Sequence, residues 1–197
     1  MITVQLQSDD LTGKLTELLR RSRRPRSVLQ AAARGVRSRL QRHFRERDKE
    51  PNRLGGRRTH FWLDVYKSTQ LGQVTESFAI VSIGDHRFAQ KLRGGTIRAI
   101  QAKALTIPVD PEAHGRRAAV FERETGLKLI FIGQGGKGIL ATRAAGSDAL
   151  QVRYLLVPSV HQDPDPEALP PQGEMESAAL EKAAAQVATE IQQAGLK

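Results

Sequence analysis

Residues able to do chemistry are present in this chain, but their spacing does not assemble a reaction centre. The five histidines, His43, His60, His86, His114 and His161, contain no pair at i, i+4 and no His-Glu-x-x-His run, the spacing that places two imidazoles on one helix face for zinc. Ser82 stands in Val-Ser-Ile-Gly, not in the Gly-x-Ser-x-Gly elbow of a hydrolase. Asp163, Asp165 and Glu167 are close in sequence, but Pro164 and Pro166 separate them and no glycine turn shapes a calcium loop, so they read as a solvated acidic linker. Gly133-Gln-Gly-Gly-Lys-Gly138 looks suited to phosphate, yet a phosphate-binding loop needs Ser or Thr after Lys137 and a helix beyond it. Gly138 follows instead, then a strand-like run, which makes the segment a glycine hairpin turn. With no cysteine in the chain, disulfides, thiolate metal sites and cysteine nucleophiles are excluded. The expectation is a protein that is not an enzyme and carries no cofactor and no metal.

Charge is the chemistry that remains. The formal net charge is +10 over 197 residues, which favours an anionic partner such as nucleic acid or an acidic protein surface. The arginines concentrate between Arg20 and Arg58, opposed there only by Glu46, Asp48 and Glu50, whereas residues 163–171 are acidic and proline-rich. Arg34, Arg37, Arg42 and Arg45 lie off the apolar face of a long helix and are candidate contacts to DNA phosphates or to carboxylates of a partner. The absence of interleaved aromatics and of zinc-finger or RNA-binding patterns argues against sequence-specific recognition.

The elements that position these groups follow from periodicity. A short strand is predicted over residues 1–6 and a helix from Ser8 or Asp9 to Arg21, broken by Pro25. A second helix is predicted over 26–48, with Val28, Ala32, Val36, Leu40 and Phe44 at spacing four as its buried face. Residues 51–58, with Gly55-Gly56, read as a mobile loop, and Thr59 as the cap of a helix over 60–66. Strands are expected over 74–83, 104–109, 127–132, 138–143 and 152–157, with Asp85-His86 in a turn and Pro108 stopping its strand. Residues 158–173 are expected to hold no regular structure. A helix over 174–193 presents Leu180, Ala184, Val187, Ile191 and Ala194 on one face. The fold class is therefore α+β, a mostly antiparallel sheet flanked by N- and C-terminal helices. Its parts are an arginine-rich helical region 1–58, an α+β core 59–157, an extended arm 158–173 and a terminal helix 174–197. No run reaches the roughly 20 apolar residues of a bilayer span, and Met1 to Ser8 lacks the pattern of a signal peptide. A protein made and kept in a cytoplasm, with no membrane contact, is expected.

Four segments carry a family resemblance. Thr59-His-Phe-Trp-Leu-Asp-Val-Tyr-Lys-Ser-Thr69, Lys91-Leu-Arg-Gly-Gly-Thr-Ile-Arg98, Ala102-Lys-Ala-Leu-Thr-Ile-Pro-Val109 and Pro111-Glu-Ala-His-Gly-Arg-Arg-Ala118 resemble the virion morphogenesis proteins of Mu-like tailed phages, which belong with the tail-completion and head–tail joining proteins. Tyr154-Leu-Leu-Val-Pro-Ser-Val-His-Gln-Asp-Pro164 is similar to the same family. The resemblance covers the centre of the chain and weakens toward both ends. It implies a non-catalytic structural protein of the virion, made in the host cytoplasm and placed at the neck or the head-proximal end of the tail. It also implies a homo-oligomeric ring, usually hexameric, that meets neighbouring neck, connector or tail-tube proteins. On that reading, Arg93, Gly94, Gly95, Thr96 and Arg98, with Asp163, Pro164, Asp165 and Pro166 of the arm, are expected at contacts between subunits or rings. The alternatives are a nonspecific nucleic-acid-binding protein, touching genomic DNA through its arginines, and an assembly factor absent from the virion.

Overall fold

The computed structural model describes residues 2–4, 9–22, 24–52, 54–134, 137–143 and 148–193. The fold is α+β, with antiparallel strand pairing throughout the described residues. The chain divides into two compact units: residues 1–49, 61–93 and 165–197 form one, and residues 50–60 and 94–164 form the other.

The first unit is built on helix α2, Pro25–Arg47. Proline at its first turn lacks only an N–H that has no intrahelical acceptor there. Its spacing-four face is buried as expected, with Val28, Leu40 and Phe44 fully enclosed. That face packs on a three-stranded sheet of order β1-β3-β2, formed by β1 (Ile2–Val4), β2 (Thr69–Val74) and β3 (Ala79–Ile83). The single strand expected over 74–83 is the end of β2, a turn, and β3. Thr75 makes the turn, its Oγ1 accepting from the Phe78 N–H at 3.0 Å. Helix α1, Asp9–Arg21, adds Leu15, Leu18 and Leu19 to the core. Helix α3, Phe61–Ser68, brings Trp62, which stacks on Phe44 at 6.0 Å between ring centroids. One of its N-terminal N–H groups, that of Leu63, donates to Asp48 Oδ1 at 3.2 Å, so the cap comes from Asp48 and not from the expected Thr59. The expected turn at Asp85-His86 is instead the entry to helix α4, His86–Arg93, which buries Phe88.

Helix α6, Gln172–Gln193, lies along α2. Its buried residues are Met175, Ala179, Ala183 and Val187, one position around from the expected Leu180 and Ala184; Ala184 and Ile191 are exposed, and Ala194 lies outside the described residues. The cause is a close helix crossing. A Cβ on Gly35 of α2 would sit 2.1 Å from the Ala178 carbonyl oxygen, so the facing side of α6 has room for alanine and not for leucine.

The second unit is built on β8, Leu150–Val157. A four-stranded sheet runs β5-β8-β7-β6, with β5 Leu105–Pro108, β7 Lys137–Arg143 and β6 Ile130–Gln134. Gly133 pairs with Gly138 and Gln134 with Lys137, so the glycine segment joins two strands, which is the hairpin reading; residues 135–136 lie outside the described set. After Pro158 the same run continues as β9, Ser159–Gln162, which pairs with β4, Gly95–Arg98. The region expected to be irregular thus contains a strand, because its prolines bracket residues 159–162 without entering them. A bulge makes Arg153 the extra residue of β8, since Tyr154 pairs with Leu140 and Val152 with Ala141. Arg153 and Tyr154 consequently both reach Phe121 of helix α5, Ala118–Thr125. Phe121, Tyr154 and Ala113 form a buried cluster in this unit, and Ala141 of β7 is fully buried as well. The loop at 51–58 is shaped by Asn52, whose amide donates to the Gly56 carbonyl at 2.6 Å and whose Oδ1 accepts from the Leu54 and Gly56 N–H groups.

Candidate interaction surfaces

The arginines of α2 have separate tasks. Those flanking the buried face tie the unit together. Arg39 pairs with Glu174 of α6, and Arg47 pairs with Asp165 at 2.9 Å and Glu167 at 2.7 Å while its guanidinium lies 5.0 Å over the Trp62 ring. Of the four candidate contact residues, Arg37 donates to the Thr69 carbonyl at 3.2 Å and is half-buried. Arg45 donates to the Tyr66 hydroxyl at 2.8 Å and lies 4.8 Å over its ring. Arg34 and Arg42 are exposed and have no hydrogen bond or ion pair with another described residue. Positions 34, 38, 42 and 45 fall on one exposed helical stripe, on which Arg34 and Arg42 are open and Arg45 is tied to Tyr66.

The arm residues also separate. Asp165 forms an internal clamp in the first unit: its carboxylate pairs with Arg47 and, at 3.2 Å, with Lys91, and its N–H donates to the Lys91 carbonyl. Pro166 beside it is exposed. In the second unit, Asp163 is almost fully exposed, 3.7 Å from His161. Pro164 closes over Gly94, where an added Cβ would meet Pro164 N at 2.7 Å and the Gln162 carbonyl oxygen at 2.6 Å. Gly94 also has φ +68°, so both space and backbone demand glycine. Gly95 and Thr96 open β4, and Thr96 and Arg98 are exposed on it; Arg93, the last residue of α4, is exposed as well.

Two features of the second unit were not singled out by sequence. Between β4 and β5 the chain makes an excursion over residues 99–104 and leaves Ile100 96% exposed, beside Ile97 at 38%. On β6, Phe131 is 53% and Ile132 42% exposed. The available signal was an apolar pair with no charge from Ile130 to Gln134, next to a glycine turn.

Three further polar groups are held by partners inside their own unit. Arg153, 6% exposed, is held by Asp110 at 2.8 Å, Glu112 at 2.9 Å and Thr142 Oγ1 at 3.1 Å. Burial pushes the Tyr154 phenol above its ordinary range, while its hydroxyl donates to the Arg116 carbonyl at 3.2 Å. Arg87 bridges Asp85 at 2.5 Å and Asp64 at 2.8 Å; its guanidinium holds the Asp85 carboxyl below the usual carboxylate range. Among the described residues, no group of three or more His, Asp or Glu is placed to hold a metal ion, and no helix is long and apolar enough to cross a membrane.

Comparisons of the chain with protein-family models, with curated proteins and with solved structures find no match. The functional reading therefore rests on the surfaces and on the sequence itself.

Proposed function

We propose that this chain is a structural assembly protein of a tailed phage particle, completing the tail or joining it to the head as a homo-oligomeric ring. Its work is mechanical: copies match edges with one another, the ring meets unlike neck, connector or tail-tube proteins, and the assembly seals the DNA path. One observation carries the reading. The segments most specific to the virion morphogenesis resemblance, Lys91 to Arg98 and Ala102 to Val109, contain β4 and β5, and they bound the excursion that exposes Ile100. With Ile97, Phe131 and Ile132 also exposed in the same unit, this amount of uncovered apolar surface suits a protein–protein contact. The test is to purify virions and look for the chain in them at fixed stoichiometry at the head–tail junction. Its absence from virions, with assembly lost when it is deleted, would make it an assembly factor instead.

The exposed stripe of Arg34 and Arg42, with Arg45 beside them, favours a second reading, nonspecific binding of duplex DNA. Phosphate contacts of that kind release counterions, so affinity for DNA would fall steeply with salt. Binding to a purified connector or tail ring, with no DNA affinity, would assign the stripe to an acidic protein surface.

A further inference from the structure

The sheet edges are protected unequally. An open strand edge is a template for pairing, and folded proteins blunt it with proline, charge, bulges or extreme shortness. In the first unit, β2 carries a register break between Leu71 and Val74. In the second, β5 ends in Pro108. The β6 edge has none of these devices. From Ile130 to Gln134 it contains no proline and no charge, its pairing with β7 is regular, and residues 131–134 are all exposed. A bare apolar edge of this kind calls for a covering strand.

We infer that β6 of one copy of this chain pairs with β4 of the next, and that this strand addition is the contact between subunits. The inference rests on the reading of the chain as a self-assembling ring and names the surface that builds it. Three observations select this occupant. The first is direction. β5 opposes β8, β8 opposes β7 and β7 opposes β6, so β5 runs opposite to β6. β4 opposes β9, the continuation of β8, and shares the sense of β5. Copies related by rotation about an axis along the strands therefore join β6 to β4 antiparallel, and the alternation continues from copy to copy. The second is length: β4 has four residues and β6 has five. The third is apolar matching. Pairing β6 with itself would cover Phe131 and Ile132 but leave Ile97 and Ile100 in water, whereas pairing it with β4 brings both patches to one contact. The two surfaces are different, so the contact is head-to-tail, and contacts of that type close into rings when the rotation per copy divides a full turn. The patches also lack acidic groups, and Arg98 is the only charged residue on either strand, so copies with a net charge of +10 meet where repulsion is least.

The absence of cysteine makes the test clean. Thr96→Cys and Ile97→Cys are made on β4, Phe131→Cys and Ile132→Cys on β6, each alone in the full chain. Antiparallel neighbours lie about 4.5–5.5 Å apart at Cα, within disulfide reach. The expected result is that mixing a β4 variant with a β6 variant and oxidising gives a disulfide dimer for at least one of the four pairs, and that β6 variants alone give none. Ile132→Glu is the companion variant. It is expected to reduce assembled mass at least tenfold at a fixed concentration while leaving Trp62 fluorescence unchanged. A disulfide in the Phe131→Cys or Ile132→Cys pool alone would overturn the inference in favour of two-fold pairing. Rings that form without any mixed disulfide would overturn this contact and leave the ring reading standing. A wild-type chain that stays monomeric at all concentrations would overturn both.

Discussion

In the unit built on α2 and α6, apolar side chains from five helices and strands enclose Phe44, Phe88 and Trp62, and ionic groups near the rim are paired at short range. In the unit built on β8, the buried cluster among the described residues is small, centred on Phe121 and Tyr154, one buried arginine is held by two carboxylates, and Ile97, Ile100, Phe131 and Ile132 stand in water at the edge and the excursion. The contrast separates two demands. Burial of apolar area stabilises a fold, and the first unit concentrates it. Adhesion between molecules needs apolar surface left uncovered, and the second unit exposes more of it than the first, where Phe78 and Ile191 are the large apolar side chains exposed among the described residues. The arginine stripe on the first unit adds a charged surface whose partner need not be another copy.

Four substitutions sharpen that contrast, taken from the largest effect to the smallest. Phe44→Ala should destabilise the first unit by about 3–5 kcal/mol. The chain's one tryptophan, Trp62, stacks on Phe44, so its fluorescence in a urea titration reads this loss directly. Asp110→Ala should cost about 3 kcal/mol in the second unit, because it removes one of two carboxylates from buried Arg153. Hydrogen exchange of β5 and β8 should then accelerate while that of α2 does not; equal acceleration in both would break the separation of the units. Gly35→Ala should cost about 1–3 kcal/mol by forcing α2 from the Ala178 carbonyl. Arg87→Ala should cost under about 1 kcal/mol, since the side chain is half exposed. The sign of its pH dependence is fixed. Asp85 is held below the usual carboxylate range, so its contribution is present above that range and is lost as pH falls through the lowered value. Arg87→Ala should flatten that acid-side loss in a pH series of urea midpoints.

Much of the first unit was legible in sequence because one long helix dominates it. The spacing from Val28 to Phe44 has no competing pattern, and every residue of that face is buried. The misplaced face of α6 came from a tertiary cause: an alanine-rich helix has no strong preference of its own, and the facing Gly35 decided which side could approach. Helices α4 and α5 were missed because eight residues give barely two turns of periodicity and neither is as rich in large apolar residues as α3, which has the same length. The strand at 159–162 was hidden by composition, since the prolines around it outweighed its own Val160. The candidate surfaces were legible in part. Charge located Arg34 and Arg42, but no local pattern tells a free arginine from Arg37 or Arg39, which have internal partners. Likewise Asp165 and Asp163 are alike in sequence, and only the fold sets one against Arg47 and leaves the other in water.

The most direct measurement is the mass and shape of the purified full chain, by light scattering with negative-stain imaging at low and high salt. A closed ring with a central hole is expected at both salts, because the contact proposed between copies is apolar and backbone-mediated. A monomer at both salts that binds duplex DNA, with an affinity falling steeply as salt rises, would contradict it.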